Sequence, residues 1–168
     1  MSAPGRTVPT MKPKRVMIDS NVYDEIVAVP GLTSTLRRLI HEGDLELVVC
    51  HVQEDEIQRT PDPAWRETLE SVPVSREVPS AVFVLGWSRL GRARLGGEQQ
   101  GDLSYEGLAG PNRRNVGDAL IALTAANEAD ALVTQEHRLQ SQLASKPLPV
   151  WTFDDFHKWV VSTDGHHG

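Results

Sequence analysis

NVGDALIALTAANEADALVTQE, residues 115–136, reads as a helix with one carboxylate in its first turn, then a buried strand with a second carboxylate just past its end. Asn115 is expected to cap the helix, with Asp118 three residues on, the pattern of a helix start. Residues 119–126, ALIALTAA, are apolar on nearly every face, so this helix should be buried on more than one side. Glu128 and Asp130 break the run, residues 131–134 form a short apolar strand, and Glu136 follows its carboxyl end. Open parallel sheets bind ligands outside the carboxyl ends of their strands. Asp118 and Glu136 are therefore candidates for one shared site.

Upstream, residues 15–18 (RVMI) form a strand ending at Asp19, followed by Ser20, Asn21 and a short helical pattern. Residues 35–42 read as a helix stopped by Gly43, and residues 45–50 as a strand buried on both faces. A helix over 52–59 carries Glu54, Asp55 and Glu56. Asp62-Pro63 opens another, with Trp65 and Leu69 facing inward. Residues 72–74 are a candidate third strand, Pro79-Ser80 opens a helix running to Gly96, and residues 96–114 read as a long loop. Downstream, residues 148–152 form a strand and 154–161 a closing helix. Strands alternating with helices predict an α/β, three-layer fold: a mostly parallel central sheet of four to five strands with helices on both faces. The expected organisation is a disordered segment over 1–14, one domain over 15–161 with a flexible basic segment at about 86–114, and a loose tail over 162–168.

A chain of 168 residues is long enough for one domain with a substantial core. It has no run of eighteen apolar residues, so no membrane span is expected, and its first fifteen residues lack the apolar centre of a secretory signal. The single cysteine, Cys50, excludes an internal disulfide and a cysteine-based zinc cluster, and fits a cytoplasmic location. Neither GxGxxG after a strand nor GxxxxGK[ST] occurs, which leaves dinucleotide and nucleoside-triphosphate sites without support.

Asp19 and Glu136 follow strand ends, Asp118 opens the helix that leads into the later strand, and an acid from the helix after Cys50 would complete a ring. Four crowded carboxylates repel unless neutralised, and Mg2+ or Mn2+ does this through oxygen ligands. At these residues the chain resembles the PIN-domain ribonucleases, over roughly residues 15–159. The carriers are RVMIDSNV around Asp19, VVCHVQEDEI around Glu56, GDALIALTA around Asp118, DALVTQEHRL around Glu136, and the closing PVWTFDDF. The resemblance implies a PIN-like fold and a catalytic, metal-binding quartet of Asp19, Glu56, Asp118 and Glu136. Glutamate departs from the family's usual aspartate at the last position. Ser20, Asn21 and Thr134 are expected to hold these carboxylates and metal-bound waters.

The implied reaction is metal-assisted hydrolysis of RNA phosphodiester bonds, leaving 5′-phosphate and 3′-hydroxyl ends. Many family members are toxins, often dimeric, that a small antitoxin neutralises, so a cognate antitoxin and a homodimer are implied partners. The chain's net charge of −6 opposes RNA binding, but between residues 86 and 114 Arg89, Arg92, Arg94, Arg113 and Arg114 stand against three acids. That segment carries +2 and leaves −8 on the rest; its arginines are the expected RNA contacts. A haloacid-dehalogenase-type enzyme also starts from a strand-end aspartate, but it wants a second aspartate where Asn21 stands. The non-enzymatic alternative is a PIN-like RNA-binding or scaffold module.

Overall fold

The computed structural model describes residues 14–82, 84–88, 91–93 and 103–165. Strands β1 (Lys14–Ile18), β2 (Leu45–Val49), β3 (Arg76–Glu77), β4 (Ala131–Val133) and β5 (Val150–Trp151) form one sheet in the order β3-β2-β1-β4-β5. Every neighbouring pair is parallel. The α-helices among the described residues are α1 (Tyr23–Ala28), α2 (Leu32–Glu42), α3 (His51–Gln58), α4 (Pro63–Glu70), α5 (Tyr105–Ala109), α6 (Val116–Glu128), α7 (His137–Leu143) and α8 (Phe153–Asp164).

The central strands are apolar on successive residues because both faces of the sheet are covered. Val16, Ile18, Leu47, Val49 and Val133 pack with α1, α2 and α8 on one side. Met17, Val48 and Leu132 alternate to the other side, where Ala119, Leu120, Ile121, Ala122 and Leu123 of α6 meet them. α6 is buried from Val116 to Ala125 with few exceptions, as its all-round apolar run predicts. The fold is thus the expected three-layer α/β arrangement, with a sheet that is parallel throughout.

Several local expectations change. Asn115 gives α6 no side-chain cap; a 3-10 turn over Arg113–Asn115 leads into the helix, and the Asn115 amide donates to the carbonyl of Ala109 instead. The third strand lies at Arg76–Glu77 rather than 72–74, because Pro73 has no N–H for the ladder and Ser75 makes the first bonds to Leu47. No helix forms over the described residues between Pro79 and Ala93. Gly86 and Gly91 take φ of +83° and +82°, which ends any helix there, and Ser80 and Ala93 form an isolated bridge. Helix α5 stands in what reads as loop, started by the Ser104 hydroxyl, which accepts from the Gly107 N–H. Trp65 is 40% exposed and donates to Asp24, while Leu69 is buried as expected. α8 continues to Asp164.

A candidate acidic site at the carboxyl edge of the sheet

From β1 the chain moves to β2 and β3 on one side, while β4 and β5 lie on the other. The crevice at this reversal, between the carboxyl ends of β1 and β4, is where open α/β sheets take ligands. Asp19 follows β1 and Thr134 follows β4, and their side chains meet across the crevice: Thr134 Oγ1 donates to Asp19 Oδ2 at 2.7 Å. Asp19 Oδ1 accepts from the Ser20 N–H at 2.8 Å. The carboxyl is 2% exposed, and burial pushes its pKa up to about 6 against the help of these bonds.

Glu56 comes to the same place from α3. The Ser20 hydroxyl donates to Glu56 Oε2. Burial, then the charges of Asp19 and Asp118, push the Glu56 carboxyl up to about 7. Its Oε1 lies against Gly117, where a Cβ would come within 2.8 Å. The glycine immediately before Asp118 is therefore what lets Glu56 approach α6. α3 is itself positioned by Gln53, whose side chain accepts from Cys50 N–H and donates to the carbonyl of Ile18 at 3.0 Å. That bond ties the start of α3 to the end of β1, one residue before Asp19.

Asp118 stands in the first turn of α6. Burial raises its pKa and the nearby Glu136 adds to this, while Arg138 opposes both: its Nη2 donates to Asp118 Oδ2 at 3.2 Å. Glu136 caps α7, its Oε1 accepting from Arg138 N–H at 3.4 Å and its own N–H donating to Thr134 Oγ1 at 3.0 Å. Asp19, Glu56, Asp118 and Glu136 thus converge on one edge. Asn21 is exposed and accepts from the Gln135 N–H at 3.4 Å, linking the two strand ends rather than the carboxylates.

Of the expected RNA contacts, Arg92 is spent on Glu77 and Glu54, which it bridges. Arg113 and Arg114 are exposed on the turn just before α6, close in sequence to Asp118. Arg89 and Arg94 lie outside the described residues. Trp87 is half-buried against the core beneath α6, its ring 3.8 Å from a Cβ built on Gly117 and its carbonyl 3.3 Å from the buried His51 ring. Arg59 lies over the Trp87 ring at 5.8 Å and eases the Glu56 charge.

Gly117, Gln53 and Arg138 escape the sequence reading. Gln53 had a signal, the three-residue spacing from the cap position at Cys50. Arg138 and Gly117 had none, since each matters only through a partner far away in sequence.

The donor chemistry of this edge fits a hard divalent cation. Its carboxylate and hydroxyl oxygens are the donors such ions take, and burial first, then the neighbouring carboxylates, raises the pKa of Asp19, Glu56 and Asp118. Among the described residues, no three His, Cys, Asp or Glu side chains stand at the spacing that holds a metal ion. Asp118 Oδ2 is bonded to Arg138 and Glu56 Oε2 to Ser20. No protein-family model, curated protein or solved structure matches the chain. No helix among the described residues is long and apolar enough to cross a membrane.

Proposed function

We propose that the chain is a PIN-like, divalent-metal-dependent endoribonuclease that hydrolyses RNA phosphodiester bonds at this acidic edge. The observation that carries the reading is the convergence of Asp19, Glu56, Asp118 and Glu136 at the crevice between β1 and β4, with three of them protonating more readily than ordinary carboxyls. Bound Mg2+ or Mn2+ supplies neutralisation of these carboxylates and acidification of a water for attack on phosphorus.

The chain's own residues do the positioning. Thr134 and the Ser20 N–H orient Asp19, and the Ser20 hydroxyl orients Glu56. Gly117 gives Glu56 its approach, and Arg138 favours the ionised form of Asp118. Glu136 adds negative charge beside Asp118 while starting α7. Leaving the strand ends with 5′-phosphate and 3′-hydroxyl belongs to the same proposal. So do an antitoxin and a homodimer, which rest on the sequence resemblance alone.

A second reading, a PIN-like RNA-binding or scaffold module without turnover, is favoured by the ion pair between Asp118 and Arg138 and by the use of Glu136 as a helix cap. Cleavage of a mixed, structured RNA with Mg2+ or Mn2+ separates the two. In the nuclease, wild type cuts, EDTA stops it and Asp118→Asn is inactive, while Glu136→Gln measures whether the fourth position ligates. If wild type does not cut but binds metal calorimetrically, and Asp118→Asn loses that binding, the module reading stands.

A further inference from the structure

The two strand ends, α3 and α6 supply anions to this edge, yet a polynucleotide is itself an anion. The described arginine that bonds directly to one of the four acids is Arg138. It sits in the first turn of α7, where a cation opposes the helix dipole. A residue that breaks a local rule in this way needs a compensating role.

Its guanidinium is fixed from behind. Nη1 donates to the carbonyl of Leu108 at 2.7 Å and to Gln142 Oε1 at 2.8 Å, which uses both of its hydrogens. Neither acceptor belongs to the acidic quartet. Nη2 reaches Asp118 at 3.2 Å, the longest of the three contacts, and its second hydrogen has no acceptor among the described residues. The fork is therefore anchored twice on its far side and once, by Asp118, on the side facing the acids. Other cations nearby are differently committed. Arg92 is bridged by two carboxylates, and Arg59 lies over Trp87.

We propose that Arg138 docks a phosphate group of the substrate strand beside Asp118, its guanidinium preset by Leu108 and Gln142. The inference rests on the nuclease reading for its substrate, and it makes Arg138 a binding residue of that site. The one Nη2 hydrogen left without an acceptor stands beside Asp118 and can donate to a phosphate oxygen there, and the anchored guanidinium loses little entropy when the phosphate arrives.

The test uses Arg138→Gln and Gln142→Leu, each checked for folding by near-UV circular dichroism, with Arg138→Lys replacing any variant that fails to fold. KM and kcat are measured for one short single-stranded RNA in Mg2+, and Kd for the same RNA in EDTA. Arg138→Gln is expected to raise KM and the metal-free Kd about 10-fold or more, as loss of a charge-assisted bond to phosphate does, with a smaller change in kcat. Gln142→Leu moves both in the same direction by less. A lowered kcat with unchanged KM and Kd overturns the proposal, since a residue that only braces Asp118 behaves that way. If wild type cuts no RNA, the nuclease reading fails separately. The metal-free Kd still decides Arg138 in that case: unchanged affinity in Arg138→Gln rejects phosphate docking, and lost affinity retains it.

Discussion

Asp19 and Glu56 are held where a carboxylate is costly. Burial lifts Asp19 to about 6 and Glu56 to about 7; the charge of Asp118 adds to both, and that of Asp19 adds to Glu56. A folded chain whose acids have raised pKa values binds protons that the unfolded chain has already released. Its stability is therefore highest below about pH 4 as far as these groups are concerned, and that contribution is lost as pH rises through about 6 and 7. Glu56→Gln removes one cost while keeping an oxygen to accept from Ser20. In metal-free buffer at pH 8 it is expected to stabilise the protein by about 1–3 kcal/mol and to flatten the pH dependence of Tm, with loss of cleavage. Thermal melts from pH 4 to 8 check this; a destabilised Glu56→Gln would show that the carboxylate is a structural asset. Thr134→Val is expected to do the opposite. It leaves the buried Asp19 Oδ2 and the Glu136 N–H without their shared hydroxyl, costing about 1–3 kcal/mol, and Thr134→Ser should recover most of it. Asp19 and Asp118 were legible in the sequence because strand ends and helix starts have local patterns. The cost of each, and the single hydroxyl that joins two strands 115 residues apart, lie in pairings that no local pattern carries.

The helices and strands divide along the same line. β1, β2, β4 and α6 were legible because burial on both faces writes continuous apolar runs into them. The edge was not: β3 is two residues long and set by Pro73 and Ser75. α7 is not legible in the sequence because it is only seven residues long and its cap is Glu136, which also reads as a ligand. The sequence between Ser80 and Ala93 has helix-like apolar spacing, but among the described residues Val82, Val84 and Trp87 use it to pack against the core without a helix. Within α6, Gly117 is the informative position. Helix propensity alone favours alanine there by about 1 kcal/mol. A Cβ would meet Glu56 Oε1 at 2.8 Å, and the end of a flexible glutamate moves away cheaply. Gly117→Ala is therefore expected to leave Tm unchanged or slightly higher and to lower cleavage at least ~10-fold by displacing Glu56, a separation of stability from activity that melts and rates on one preparation measure. Retained activity would mean that Glu56 acts from another rotamer.

The chain carries −6, and four of its acids stand at the edge where, in the proposed nuclease, an RNA phosphate would approach. Holding an anionic polymer against that field requires cations around the edge, and composition alone could not say which arginines remain free to serve. Arg92 is matched by Glu77 and Glu54 and contributes no net positive charge to an approaching phosphate. Arg113 and Arg114 are exposed at the turn that leads into α6, beside the acidic edge. Phosphate contacts release counterions, so each one lost lowers the dependence of log Kd on log salt by about 0.7 for a single strand. The paired variant Arg113→Gln, Arg114→Gln is expected to weaken RNA binding and to reduce that slope by about 1.4 if both touch phosphate. Arg92→Gln, tested in parallel, is expected to leave the slope unchanged and to lower Tm modestly, because it loosens the link between the loop, β3 and α3. A titration of one RNA against each variant from low to moderate salt distinguishes the two sets. Equal slopes for wild type and the Arg113/Arg114 variant would move the RNA path away from the start of α6, to the other side of the crevice between β1 and β4.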